Sequence, residues 1–510
     1  MRLAWFSPMP PVPSGVATVS AELVRELGRR HAIDVYVHAN HPRESVPMSE
    51  SLESVRVYSA HDFVWRHRAE PYDLTVYQVG NSSHHDYLWP YLFRYPGLTV
   101  LHDFHLHHAR AAALLRTRRP EAFRAEFAAN HPAVAVDLAE LAIAGFDNLL
   151  YYSWPMSRLI VEASRLTAVH APPLARQLRE QLTGSCITTI RLAHGERLNA
   201  EQIARARAHV RGRYGIRQNE ADGAVLFGVF GGLTPDKRIP QLLDAFSAIG
   251  PYAPSAHLLL AGAPARHYDV AADVAQRGLE HRVTMTGYLP TESALTQCIA
   301  ACDVSLNLRW PTAREMSGPW LRALAAARPT ITIDLAHLVD VPSLDPRTWK
   351  RNASVPAMRR PASGIRNTTS VQPGSTHRDS ESEATLTNVS GSDPESRNPD
   401  PRSDAAVTVA IDIMDEDHSL RLAMRRLATD AALRASLGAA GQRYWELEHS
   451  MARMVEDYER ALADAAARPA PRVALPAHLV TNGEGVLNGV LEEFGLPAVW
   501  DYQEKVKGKR

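Results

Sequence analysis

Residues Ala224–Gly262 read AVLFGVFGGLTPDKRIPQLLDAFSAIGPYAPSAHLLLAG. An apolar run from Ala224 to Phe230 ends in Gly231 and Gly232. Thr234, Pro235 and Asp236 then open a segment with helical periodicity, and a second apolar run spans His257 to Gly262. The pattern predicts a strand, a Gly-rich turn, a crossover helix and a second strand. Strands joined by a helix of this length lie parallel, and their unbroken apolar character marks burial on both faces.

The same alternation extends both ways. Toward the C-terminus follow RVTMTG (Arg282 to Gly287), DVSLNL (Asp303 to Leu308), PTITID (Pro329 to Asp334) and VTVAIDI (Val407 to Ile413). Toward the N-terminus lie Leu3 to Phe6, a helical pattern from Val16 to Arg30, Ile33 to His38, Leu74 to Val79, Leu98 to Leu101 and Leu166 to His170. A polar, charged stretch from Glu196 to Asp222 separates the two series. The expected fold class is therefore α/β, two Rossmann-like doubly wound parallel-sheet domains. The expected boundaries are 1–205 for the first domain, 206–350 for the start of the second, and 405–468 for its end, with a C-terminal extension over 469–510. Residues 351–404 hold no Phe, Trp or Tyr and are rich in Ser, Asn, Pro and charge. Their composition predicts a disordered insert. One long helix is expected over Gly441 to Ala467, crossing back toward the first domain.

The 510 residues are 45% hydrophobic and 22% charged, enough for sizeable cores. Lys+Arg and Asp+Glu both number 56, which argues against a chain dominated by nucleic-acid binding. No run of about 18 apolar residues suggests a membrane span, and the opening MRLAWFSPMPP lacks the apolar core of a signal peptide. Cys186, Cys298 and Cys302 are too few for a disulfide framework. A soluble cytoplasmic protein is expected. The basic end KVKGKR is read as solvated, with peripheral membrane contact as the alternative.

Ligands of open α/β sheets bind beyond the carboxyl ends of the strands. Five such loops carry candidate chemistry. In SPMPPVPSGVATVS, Gly15 precedes a helix whose free N–H groups suit an anion. In YQVGNSSHHD, Gly80 and Asn81 close a strand. In TVLHDFHLHH, His102 and Asp103 end a strand, with His105, His107 and His108 beyond. That histidine run matches no standard zinc spacing, so no metal is assigned and His102 is read as a substrate contact. In FGGLTPDKRI, Lys237 and Arg238 fall where a first helical turn disfavours cations, which points to an anionic ligand. In NLRWPTAREMSGPWLRALAAARP, Glu315, Ser317 and Gly318 precede a helix. The acidic run Asp415, Glu416 and Asp417 is read as a helix N-terminus rather than a cation site.

Taken together, these loops resemble the retaining, nucleotide-sugar-dependent glycosyltransferases of family 4, which have the GT-B fold with two domains facing a central cleft. The resemblance covers roughly residues 1–465 apart from the insert. It implies an acceptor-side first domain and a nucleotide-sugar second domain. It places Gly15 beside the donor phosphates and His102 at the transferred sugar. Lys237 matches the diphosphate-binding lysine, whereas Gly232 stands where the family carries an arginine, with Arg238 as its substitute. Glu315 and Gly318 match the first half of the Glu-x7-Glu signature in a Glu-x-Ser-Gly variant, and Arg322 stands where the second glutamate should be, with the spacing one residue short. By this resemblance His102, Lys237 and Glu315 are catalytic, and Gly15, Arg238, Ser317, Gly318 and Arg322 bind donor. Gly80, Asn81 and Asp103 lie on the substrate side.

The activity implied is sugar transfer, with retention of anomeric configuration, from a nucleoside diphosphate sugar to an unidentified acceptor, a glycan or other carbohydrate, a lipid-linked sugar or a small molecule, with no metal and no cofactor. A nucleotide-sugar epimerase and a non-catalytic sugar-nucleotide or glycan binder on the same fold are the alternatives. Deleting residues 351–404 is expected to leave donor turnover within a few fold of the intact chain; complete loss of turnover with folding intact would contradict this.

Overall fold

The structure, a computed structural model, describes residues 1–41, 55–135, 137–146, 148–216, 224–265, 268–312, 316–333, 341–352, 405–481 and 484–496. The expected insert over 351–404 lies almost wholly outside the described residues, as does Glu315.

The first unit holds β1 (Arg2–Phe6), β2 (Ala32–Val37), β3 (Val55–Ser59), β4 (Leu74–Val79), β5 (Leu98–Leu101), β6 (Leu166–Val169) and β7 (Ile187–Thr189). The second holds β8 (Leu226–Phe230), β9 (His257–Ala261), β10 (Val283–Met285), β11 (Val304–Asn307), β12 (Thr330–Ile333), β13 (Ser343–Leu344) and β14 (Thr408–Ile411). Their orders are β3-β2-β1-β4-β5-β6-β7 and β10-β9-β8-β11-β12-β14-β13. Neighbouring strands pair in parallel, for example Leu3 with Leu74 and Val304 with Phe227. This is the two-sheet α/β architecture of the GT-B fold. In each sheet the order reverses beside the first strand, so β1 and β4, like β8 and β11, flank a switch point where the crossovers diverge and leave a crevice.

Three strands escape the sequence pattern: β3, β7 and β13. They lie at or near sheet edges, are five, three and two residues long, and are only partly buried. A short strand with one wet face has no continuous apolar run to betray it. The boundary expected at 205/206 falls inside the helix Ala200–Arg213. That helix packs as one piece on Glu292–Ala301, with Ala206 and Val210 in one core with Phe230, Leu259 and Cys302. Cys298 and Cys302 are buried core thiols, as read.

The expected single helix over Gly441 to Ala467 is two helices, Ala431–Glu448 and Met451–Ala467, broken at His449 and Ser450. The break follows from a tertiary contact, since His449 Nδ1 donates to the Leu192 carbonyl at 2.9 Å. Beyond it the chain crosses to the first unit as expected. Tyr458 packs on Trp5 at 5.7 Å between ring centroids, and the helix lies against β4, β5 and β6. The extension returns as well: Leu479 enters the first unit's core, and His478 Nε2 meets Glu126 Oε1 at 2.8 Å.

The crossover makes the two units share a core. Trp320, Leu321, Leu324, Trp445 and Met454 join Leu3, Trp5, Val35 and Ile190 in one buried cluster. Its polar clamp is Asp457, which accepts from Arg191 N at 2.9 Å and from Arg191 Nε and Nη2 at 2.8 Å each. The Asp457 carboxylate is buried, so removing its charge takes away the close bidentate partner of Arg191 and leaves only the longer Glu448 contact at 3.4 Å. Asp457→Asn is expected to destabilise the fold by roughly 1.5–3 kcal/mol, read as a lowered midpoint of thermal unfolding. An unchanged midpoint would show that the clamp contributes nothing.

Candidate functional site

The first helix, Gly15–Leu27, starts after a Pro-rich loop that leaves β1. Ser14 is its N-cap but makes no side-chain capping bond, so the helix start keeps donors for a ligand. In the second unit the helix Gly318–Ala325 starts after β11, with Pro319 in its first turn. Ser317 caps it, the hydroxyl accepting from Trp320 N at 3.4 Å.

These two helix starts belong to different units, and the fold brings both to His194. A Cβ placed on Gly318 would stand 2.6 Å from His194 Cδ2 and 2.9 Å from Nε2, and one on Gly15 would stand 3.9 Å from Nε2. Position 318 must therefore lack a side chain while the imidazole is there. His194 went unremarked in the sequence reading. The only local trace is the His-Gly pair that follows the mixed segment ITTIRLA.

Residues 191–194 have left the sheet, yet their backbone groups are met one by one. Asp457 takes Arg191 N, His449 gives to Leu192 O, Met454 Sδ takes Ala193 N at 3.3 Å, and Trp445 Nε1 gives to His194 O at 2.9 Å. Buried backbone polar groups need partners, and here side chains of the C-terminal helices supply them. The segment that carries His194 is thereby held rigid.

His102 ends β5, as expected, but its ring nitrogens are already engaged. Nε2 faces the Gln78 amide at 2.8 Å, and Nδ1 faces His170 Nε2 at 3.1 Å. His170 Nδ1 lies 2.8 Å from the Ile190 carbonyl, so it must carry that ring's proton. His102 Nδ1 then donates to His170, and Nε2 accepts from Gln78. The Gln78 amide satisfies this with its nitrogen toward His102, a half-turn that also partners an otherwise orphaned buried NH2. Tyr458 from the crossover helix reaches the same amide at 3.2 Å. The expected role of His102 as a direct sugar contact thus meets a ring whose two nitrogens already serve the wall of the cleft.

Gly80, Asn81 and Asp103, expected on the substrate side, form a turn lock. Asp103 accepts from Asn81 N at 2.7 Å, Asn81 Oδ1 accepts from Ala109 N at 2.9 Å, and Gly80 leaves room for His85 and Asp103.

Lys237 and Arg238 do not occupy a first helical turn. Pro235–Lys237 is a 3-10 turn, Arg238 has φ +58°, and the helix begins at Ile239. Pro240 lacks an N–H and fits only near a helix start, which sets that boundary. Lys237 is buried, and its ammonium donates to the Phe230 carbonyl. It lies over Gly231, whose φ is +86° and whose Cβ would stand 2.8 Å from Nζ. Arg238 turns to Glu416, Nε at 2.7 Å from Oε1 and Nη2 on Oε2. The acidic run is spent on such pairs at the helix start Glu416–Thr429, Asp415 and Asp417 meeting Arg347 and Arg421. Trp310 N donates to Asp236 O at 2.7 Å and ties the loops across the second switch point.

Arg322 is buried, pairs with Glu292 and donates to Thr296 Oγ1 at 3.2 Å. It lines a cavity of about 660 Å³ between the units, with Glu22, Glu196, Gln202, His209 and Glu292. Burial raises the Glu22 pKa, Glu292 and Glu196 add to this, and Arg322 opposes it. Thr18 Oγ1 reaches Glu292 Oε1 at 3.4 Å from the opposite unit. No group of three or more His, Cys, Asp or Glu residues suited to a metal occurs among the described residues. Among them, too, no helix is long and apolar enough to cross a membrane.

Residues 224–345 match the family model described as Glycosyl transferases group 1, about a quarter of the chain. No curated protein matches. Among solved structures, the chain is similar to sucrose-phosphate synthase from Thermosynechococcus elongatus at 14% identity, covering 90% of this chain and 98% of that one, with a TM-score of 0.56. It is also similar to the catalytic domain of starch synthase IV from Arabidopsis thaliana, bound to ADP and acarbose, at 11% identity, 92% and 99% coverage and a TM-score of 0.55. HepE from Anabaena in complex with UDP-glucose shares 12% identity over 91% and 99%, with a TM-score of 0.53. At such identities these likenesses establish the fold, over nearly the whole of each chain.

Four strands in sequence deliver a histidine from the segment that follows each: His85 after β4, His170 after β6 and His194 after β7, all buried, and His102 after β5, half-buried. Burial holds His85 and His170 down to about 4 and His194 to about 3, and lowers His102 well below its ordinary value. A base whose folded pKa lies below its unfolded value is neutral in the fold but binds protons when unfolded. Stability is then full above about pH 6.5 and falls as pH drops toward 4, by up to about 1.4 kcal/mol per pH unit per histidine. The unfolding midpoint is expected to fall between pH 7 and pH 5. A flat midpoint over that range would contradict the burial of these rings.

Proposed function

We propose that this protein is a glycosyltransferase that moves a sugar from a nucleoside diphosphate sugar to a carbohydrate or lipid-linked acceptor, with retention at the anomeric carbon. The observation that carries the reading is the meeting of two helix N-termini, Gly15 from one unit and Gly318 from the other, at a single point between the sheets. Helix starts favour anions through free N–H groups and the dipole. A diphosphate is an anion long enough to touch both. The family match over residues 224–345 supports the same reading. So does the presence of UDP-glucose or ADP in structures of the same fold.

In this mechanism the bond between the sugar's anomeric carbon and the diphosphate oxygen breaks, and charge accumulates on the diphosphate. The N–H groups at Gly15 and Gly318 and the Lys237 ammonium stabilise it, so no metal is required. The sugar passes through an oxocarbenium-like state. The acceptor oxygen attacks from the face the diphosphate leaves, and its proton passes to a diphosphate oxygen, which gives retention. Glu315 orients the sugar hydroxyls. His102 stiffens the wall through Gln78 and His170, and Arg238 reaches the phosphates by exchanging Glu416 for them. Ser317 fixes the start of its helix. Arg322, paired with Glu292 beside the cavity, faces the nucleoside end of the donor.

Donor consumption with a panel of UDP-, ADP- and GDP-sugars tests the activity. Binding without turnover would favour the non-catalytic reading, and no binding at all would refute the donor site. Lys237→Ala is expected to lower kcat/KM for the donor by about ten- to a hundredfold, the worth of one charge-assisted contact. Because Lys237 also holds the Phe230 carbonyl, thermal unfolding is measured alongside. A folded variant with normal turnover would move the diphosphate elsewhere.

A further inference from the structure

His194 stands between the two helix starts, and no hydrogen bond to its ring occurs among the described residues. It is 8% exposed, and its Nδ1 is buried without a partner among the described residues. The hydrogen bond that fixes the residue runs through its carbonyl, from Trp445. The ring edge Cδ2–Nε2 faces the place where side chains at 318 and 15 would be, and both positions are glycine. We propose that His194 donates a hydrogen bond from Nε2 to the donor diphosphate, as a further ligand of that anion placed centrally between the Gly15 and Gly318 helix starts. The inference rests on the reading of the site given above and adds a residue to it.

The tautomer follows from the surroundings. A proton on Nδ1 would leave a buried N–H without an acceptor, and Nε2 would present a lone pair to an anion. A proton on Nε2 leaves only an unpaired acceptor inside and turns an N–H into the gap, where both helix starts favour negative charge. Burial, with Arg322 nearby, keeps the ring neutral over the physiological range. The donor is therefore constant with pH and needs no counter-carboxylate. It is also preorganised. The segment 191–194 is pinned by Asp457, His449, Met454 and Trp445, so the N–H is not reoriented when charge develops. The helices that supply these pins come from the end of the chain, so the anion site depends on the crossover.

The test titrates the full chain and its variants with UDP and with inorganic pyrophosphate by calorimetry. His194→Phe keeps a flat ring without a donor. It is expected to weaken both ligands by about tenfold or more, equally at pH 6 and pH 8. His194→Gln can present an amide N–H near the place of Nε2 and is expected to recover most of that loss, which a packing role would not predict. Gly318→Ala, which drives a methyl into the ring, is expected to weaken pyrophosphate as the Phe variant does. Folding of each variant is read from its thermal unfolding. A folded Phe variant that binds both ligands as the parent does would overturn the inference, as would equal losses in the Phe and Gln variants. Should the Phe variant fail to fold, the Gln and Ala variants decide by the same readout. If Lys237→Ala loses binding while His194→Phe keeps it, only this inference fails. If the parent chain binds neither UDP, ADP, GDP nor pyrophosphate, the donor site itself fails.

Discussion

Four backbone groups, from Arg191 N to His194 O, leave the first sheet without a strand to pair with. Their partners come from Trp445, His449, Met454 and Asp457, more than 250 residues later in the chain. Unpaired buried peptide groups are costly, so this segment and the C-terminal helices define each other's positions. The break at His449 and Ser450, the docking of the crossover helix and the shared core around Trp320 all follow from that exchange. It also sets the distance between the two helix starts, because His194 lies in the segment and Gly318 packs against its ring.

The electrostatics of the cleft are arranged with few bare charges. The histidines after β4, β5, β6 and β7 are held neutral by burial, and Arg238, Arg322 and Arg191 are paired with Glu416, Glu292 and Asp457. What the two helix starts offer is mostly dipolar, their N–H groups together with the His194 imidazole, while the Lys237 ammonium at the second sheet's switch point is held on the Phe230 carbonyl. Such groups need not be stripped of tightly held water or counterions before a ligand binds, and they are already oriented. The charge pairs do structural work instead. Arg238 and Glu416 join the turn after β8 to the start of the Glu416–Thr429 helix, and Arg322 and Glu292 line the cavity between the units.

The alternation of apolar runs and helical segments was legible from residue 3 to residue 413, because periodicity and parallel-strand burial are written in adjacent residues. The turn chemistry that starts helices at Gly15 and Gly318 was equally local. Edge strands β3, β7 and β13 were not legible, since a strand wet on one side or only two or three residues long carries no such pattern. The helix start at Ile239 could have been read from Pro240, and the shift of Lys237 and Arg238 out of the helix follows from it.

The sequence by itself determined the two parallel-sheet units, the loops at their strand ends and the residue types in those loops, because all of these depend on neighbours a few positions apart. Only the tertiary structure decided that Gly15 and Gly318 meet at His194, that His102 is bound into a chain from Gln78 to Ile190, and that Arg238 is held by Glu416. Those partners lie tens to hundreds of residues apart. Which of them pair is settled by packing density and by the need to satisfy every buried polar group at once, and neither is encoded in any single window of the chain.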